Sequence, residues 1–179
     1  MGGHNKWSQI KRQKGAEDAK KSKRFAMLGR IIAVESKKAG GNVSSPGLRA
    51  AIDKARKENM PGDTIDRAVK RGSGADAPQM EEFLMEGYGP GGIALIVEGL
   101  TDSKNRTVSE IKHIFAKYDA SLASPGSALW AFAKSEEGWK ATSEMDVPDD
   151  CAESLQKLVE ELEDHEDVKS VSTNANSGD

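Results

Sequence analysis

The residues able to do chemistry are few and scattered. There are three histidines, His4, His113 and His165, and none has a Cys, His or carboxylate partner at metal-ligand spacing. Neither Gly-x-Ser-x-Gly nor Gly-x4-Gly-Lys-Ser/Thr occurs. His165, at the end of an amphipathic stretch, is explained by the negative end of a helix dipole. The acidic run Glu160-Glu161-Glu163-Asp164-Glu166-Asp167 lacks the glycine-containing loop that wraps calcium, and reads as a solvated helix face. Gly87 to Gly92 lies between two strand-like segments and predicts a hairpin turn, because no helix N-terminus follows to hold a phosphate. If Met1 is removed, Gly2-Gly3-His4 can enclose Cu(II) or Ni(II) in a square plane. Otherwise the sequence predicts no catalytic residue, metal or cofactor, and no small-molecule substrate.

The strong signal is charge. The formal net charge is only −3, but residues 1–75 hold 18 Lys+Arg against 7 Asp+Glu, a net of +11. The rest of the chain carries −14. A field of one sign raises self-repulsion unless a polyanion neutralises it, so the basic part predicts a nucleic-acid surface. The candidate contacts are Lys6, Trp7, Lys11, Arg12 and Lys14 in an N-terminal arm, then Lys20, Lys21, Lys23 and Arg24. Arg49, Lys54, Arg56, Lys57, Arg67, Lys70 and Arg71 continue the series. Trp7 either stacks on an unpaired base or anchors the arm to its own bundle.

Periodicity supplies the elements that position these groups. The arm runs through Gly15, and a helix spans Ala16 to Ala39, closed by Gly40-Gly41. A second helix starts at Ser45-Pro46 with Ser45 as cap, and stops at Asn59-Met60-Pro61. Asp63 caps a third, which Gly72 terminates. Residues 73–80 have linker chemistry and mark the boundary between a basic helical domain, 1–75, and an acidic domain, 76–179. There, Phe83 to Gly87 and Ile93 to Leu100 read as strands. Thr107 to Glu110 reads as a capping box. Ala128 to Ala133 and Trp139 to Ser143 are further strands, Asp149 to His165 a helix, and Val168 to Thr173 the last strand. Asn174–Asp179 is expected to be a disordered tail. With the first short strand set aside, the order is the ferredoxin-like β-α-β-β-α-β, and the class is α+β.

A single cysteine, Cys151, excludes an internal disulfide and reads as a small core residue in a reducing compartment. No apolar run approaches the roughly 20 residues that cross a bilayer. Lys6 stands where a myristoylation signal wants Ser or Thr, so the cytoplasm is expected.

Several segments resemble one family. Gly3-His4-Asn5-Lys6-Trp7 with Ile10-Lys11, Leu48 to Ala55, Asn59-Met60-Pro61 and Ile65 to Ala68 are similar to the YebC/PmpR family, which includes the mitochondrial translational activator of cytochrome c oxidase. Gly87 to Gly92, Thr101-Asp102, Asn105-Arg106-Thr107 and Gly126-Ser127 extend the resemblance in order along the chain. It implies a non-enzymatic role in gene expression. Family members are described as DNA-binding transcription regulators or as ribosome-associated translation factors. The resemblance does not choose between DNA and RNA. The leading expectation is a ribosome- or rRNA-associated translation factor with a protein partner for the acidic domain. The alternatives are a DNA-binding transcription regulator and a protein adaptor whose basic face meets an acidic partner. Asn5 replaces the usual serine, and a third domain inserted within the second is expected to be missing after Phe132-Ala133-Lys134.

Overall fold

The computed structural model describes residues 6–11 and 17–178. They form an α+β protein of two compact units, one comprising Met1–Gly15, Glu82–Gly99 and Lys104–Asp179, the other Ala16–Glu81 and Leu100–Ser103. This differs from the division read from the sequence: the arm falls with the acidic unit, and residues 76–81 and Leu100–Ser103 fall with the helical one. The arm's short helix α1 (Lys6–Lys11) packs on α6 (Ala152–Asp164), because Trp7 is 6% exposed among Ile93, Val147, Ala152, Leu155 and Ala175.

The helical unit is built from α2 (Glu17–Ala39), α3 (Pro46–Lys57) and α4 (Gly62–Ser73). Leu28, Ile32, Leu48, Ile52, Ala55, Met60 and Ile65 form its core, an aliphatic set as the spacing predicts. Ser45 occupies the N-cap of α3, but its side chain makes no capping bond. Pro61, not Asp63, is the N-cap of α4, and Asp63 sits in the first turn, where the dipole favours its charge. Gly72 does not end that helix. A Cβ there would lie 2.2 Å from the Ala33 carbonyl oxygen, so the glycine lets α4 approach α2. Beside it, Ser36 Oγ donates to the Val69 carbonyl at 2.7 Å and satisfies a buried hydroxyl.

In the acidic unit, four strands form one sheet in the order β3-β1-β2-β6: β1 (Glu81–Tyr88), β2 (Ala94–Thr101), β3 (Ser121–Ala123) and β6 (Val168–Thr173). β1 pairs antiparallel with β3, and β2 with β6. The layer of sheet and helices is the one the sequence implied, but different strands build it. The short strand set aside, β1, is central. The segments read as the middle strands instead give a 3-10 turn, Leu129–Ala131, and a separate hairpin of β4 (Phe132–Ser135) and β5 (Gly138–Ala141).

That hairpin explains why β2 has no polar side. Leu95 and Val97 face α5 (Lys104–Lys117) and α6, through Ile111, Phe115, Leu158 and Leu162. Ala94 and Ile96 meet Ala128, Ala131 and Phe132 on the opposite face. Each large aliphatic side chain so enclosed contributes about 1.5–3 kcal/mol. α5 and α6 are also clasped at their surface: Glu161 accepts from Lys117 Nζ at 2.5 Å and from Tyr118 Oη at 2.6 Å. The hydrogen bond from Lys117 is the main reason that the Glu161 carboxyl lies below its ordinary range.

Two sequence expectations fail here for the same physical reason, a side chain that replaces backbone pairing. α5 starts at Lys104, where Thr101 Oγ1 accepts the Ser103 N–H, so Thr107 to Glu110 is not a capping box. The tail beyond β6 is ordered at Asn174, which is fully buried. Its Oδ1 accepts the Ala94 N–H at 2.8 Å and its Nδ2 donates to the Ser143 carbonyl at 2.9 Å. The helix read as Asp149 to His165 begins only at Ala152, with half-buried Cys151 at its N-cap. Among the described residues, no helix is long and apolar enough to cross a membrane.

Two predictions follow from this packing. At Gly99 a Cβ would stand 1.9 Å from the Asp167 carbonyl oxygen and 2.6 Å from the Phe83 ring, whereas nothing lies within 4 Å at Gly62. In urea unfolding, Gly99→Ala is expected to cost more than about 2 kcal/mol and Gly62→Ala to be within roughly 0.5 kcal/mol of the parent. The depressed Glu161 carboxyl stabilises the fold while ionised. Glu161→Gln should therefore be less stable than the parent at pH 7, and the gap should close as pH falls through the depressed carboxylate range. A gap that widened on acidification would refute the clasp.

Candidate nucleic-acid interface

With the apolar faces of α2, α3 and α4 turned into a common core, their cations are left outside. Lys20, Lys21, Arg24, Arg49, Lys54, Arg56, Lys57, Arg67, Lys70 and Arg71 are all exposed, and Lys23 is half-buried. Lys37 and Lys38 are exposed too; the sequence reading did not include them, although their type alone placed them with the rest. Residues 17–75 hold 14 Lys+Arg against 7 Asp+Glu.

Some of this charge is matched within the unit. Arg24 lies 3.6 Å from Glu58, Arg56 3.8 Å from Asp53, and Lys38 2.8 Å from Glu35. Lys21 sits over the Phe25 ring, 5.6 Å from its centre. Among the described residues, Arg67 bonds within its own helix, to the Asp63 carbonyl and Thr64 Oγ1. Among the described residues, Lys20, Lys37, Arg49, Lys54, Lys57, Lys70 and Arg71 have no ion-pair partner. On α4, Arg67, Lys70 and Arg71 fall at i, i+3 and i+4 and so share one face. Lys54, Arg56 and Lys57 occupy the last turn of α3, where the helix dipole also favours them.

The arm does not join this set. The Lys6 backbone N–H donates to Asp149 Oδ1 at 3.4 Å, and its Nζ lies 4.0 Å from Glu153. The Trp7 ring is enclosed in the acidic unit, so in this structure it offers no face to a base. The side chain of Lys11, with Arg12, Lys14 and His4, lies outside the described residues.

The fold also assembles a cluster that the sequence concealed. Glu110, His165 and Asp167, far apart in the chain, bring one potential ligand atom each within 4.8 Å of one another. Asp167 is 1% exposed, and its Oδ2 accepts from Arg106 Nη2 at 2.8 Å and from Thr107 Oγ1 at 2.7 Å. The Asp167 N–H donates to His165 Nδ1, which fixes the neutral ring with its proton on Nε2, 2.7 Å from Glu110. A metal on Nε2 would force that proton onto Nδ1, against the Asp167 N–H. The group is a structural network joining α5 to the start of β6.

A second buried carboxylate, Glu86 in β1, is 4% exposed. It accepts the backbone N–H groups of Gly126, Ala128 and Leu129 at 2.5, 3.0 and 2.8 Å. Tyr88 Oη donates to the Ser127 carbonyl and accepts from Trp130 Nε1, so the loop that bears the exposed Trp130 is held at both ends.

Comparison with known proteins bears on these features. The model of the TACO1/YebC protein N-terminal domain matches residues 5–75, and that of the TACO1/YebC second and third domain matches residues 80–137. The chain belongs to the TACO1/YebC family. The second match ends in the β4–β5 turn, where this chain folds directly back into β5 and runs on to α6. A "Probable transcriptional regulatory protein" of Thermotoga petrophila is 44% identical over 177 residues, covering 93% of this chain and 67% of the relative. One of the same name from Thermotoga maritima is 51% identical over 136 residues, 75% of this chain and 54% of the relative. The chain thus spans between about half and two thirds of the length of these TACO1/YebC relatives. The crystal structure of a conserved hypothetical protein of Aquifex aeolicus superposes with a TM-score of 0.79 at 30% identity, covering 95% of this chain and 96% of that one.

Zinc tests the reading of the Glu110–His165–Asp167 network. Excess Zn(II) should leave the melting temperature of the full chain unchanged, because Arg106, Thr107 and the fixed tautomer already satisfy the three side chains. A zinc-dependent rise that His165→Ala abolishes would make the cluster a metal site.

Proposed function

We propose that this chain is a non-enzymatic, cytoplasmic regulator of gene expression that binds nucleic acid through its helical unit. What carries the reading is the set of exposed cations on α2, α3 and α4 that have no ion-pair partner among the described residues, in a stretch, residues 17–75, with twice as many basic as acidic residues. Such a surface neutralises phosphates and releases their counterions. The favoured target is ribosomal RNA, in the manner of a translation factor, with the acidic unit meeting a protein partner. The family resemblance supports a role on nucleic acid in gene expression and is compatible with either target. The second reading, a DNA-binding transcription regulator, is favoured by the names of the Thermotoga relatives.

Salt dependence separates a phosphate-driven surface from a coincidental one. For about 6 phosphates engaged, log K against log salt should fall with a slope of roughly −4 to −5. Reversing Lys54, Lys57, Lys70 and Arg71 to Glu should flatten that slope and abolish binding, without altering the circular dichroism of the protein. A slope near zero in the parent rejects the proposal. Sucrose-gradient fractionation at low salt then divides the two targets. Cosedimentation with ribosomal particles is expected for the first, whereas absence from those fractions with promoter-selective duplex binding selects the second.

A further inference from the structure

We propose that the Lys6–Lys11 arm is a second nucleic-acid-binding element, docked on α6 in the free protein and transferred to an unpaired stretch of nucleic acid in the complex, where Trp7 stacks on a base. This rests on the nucleic-acid reading above and adds a ligand class that the helical unit does not itself select.

The docked position is imperfect in ways that leave it easy to give up. Trp7 is buried, but its indole N–H has no acceptor, and an unpaired buried donor opposes the gain from apolar burial. The Lys6–Glu153 contact spans 4.0 Å between side chains that are 50% and 59% exposed, so solvent and salt screen it. Glu153 has a closer partner in Lys157 at 2.9 Å, and loses little when Lys6 leaves. The arm helix has only six residues, too short to persist without its docking contacts, so the arm is held as a whole or released as a whole.

The arm is better matched to a polyanion than to the surface that holds it. Residues 1–16 carry Lys6, Lys11, Arg12 and Lys14 and no acidic residue. A single strand offers these cations phosphates, offers the indole a base to stack on, and offers its N–H an acceptor. In the helical unit the only aromatic side chain is Phe25, half-buried beneath Lys21. That unit therefore grips phosphates without stacking on bases.

The test follows the three indole N–H signals of the 15N-labelled full chain, with Trp7 assigned by its loss in Trp7→Phe. The probes are 20-mers of oligo(U) and oligo(dT) and a 20-base-pair duplex. On saturation with oligo(U), the Trp7 signal should shift and exchange faster with solvent, while the Trp139 signal stays in place. Trp7→Ala should weaken oligo(U) binding about tenfold and leave duplex binding within twofold, as expected when one stacked base is lost. Glu153→Gln with Asp149→Asn, which loosens docking without touching Trp7, should tighten oligo(U) binding two- to threefold at low salt. Equal affinity for oligo(U) and oligo(dT) would identify the shared phosphodiester strand as the ligand, and tighter oligo(U) binding would add ribose recognition. A Trp7 signal unmoved at saturation, or undiminished oligo(U) affinity in Trp7→Ala, overturns the transfer and leaves the helical unit as the binding surface. Failure of the full chain to bind any of the three probes overturns both proposals.

Discussion

Strand β2 has to be kept from water on both faces, and much of the acidic unit is arranged to do so. Its residues Ala94 to Val97 are buried without interruption, and Glu98 is the one charged side chain in the strand. A sheet with one wet face could not accommodate that run. Helices α5 and α6 cover one side, and the β4–β5 hairpin with the turn before it covers the other. The hairpin also deals with the exception, since Trp139 Nε1 donates to Glu98 at 2.9 Å. A strand enclosed in this way also needs small residues of its own where its surroundings press close. Gly99 is one, at the irregularity where β2 and β6 lose register.

Charge is distributed by a different rule. In the helical unit the apolar faces are narrow and mainly aliphatic, so cations project from much of the outer surface. In the acidic unit the carboxylates fall into two classes. Those on the outer face of α6, such as Glu160 and Glu163, have no burial to oppose. Glu86 and Asp167 are enclosed, and each is satisfied by several donors at once. Backbone amides alone surround Glu86, whereas Asp167 uses a guanidinium and a hydroxyl. Both stabilise connections rather than chemistry, one a loop and the other the meeting of α5 with β6.

The arm shows the limit of grouping residues by the sign of their charge. Its cations resemble those of the helical unit, yet opposite charges attract, and Lys6 lies beside Asp149 and Glu153 of the acidic unit, where Trp7 also finds an apolar site. Burial of the indole outweighs that long, solvent-screened ion contact, so hydrophobic contact dominates in setting where the arm lies. A reading that groups residues of like sign assigns it to the wrong neighbour.

Local pattern made much of the molecule legible in the sequence: the helices and their inner faces, the buried β2, the charge boundary near residue 75, and the family. These depend on residue type and spacing within one element, or on motifs that survive as short strings. Only the tertiary structure decided that β1 is central, that Gly72 is a close contact and not a stop, and that Thr107 serves Asp167 instead of a helix cap. It also placed Trp7 against α6 and joined Glu110, His165 and Asp167. In each of these the deciding partner lies on another element, most often dozens of residues away, and the spacing of nearby residues carries no record of it.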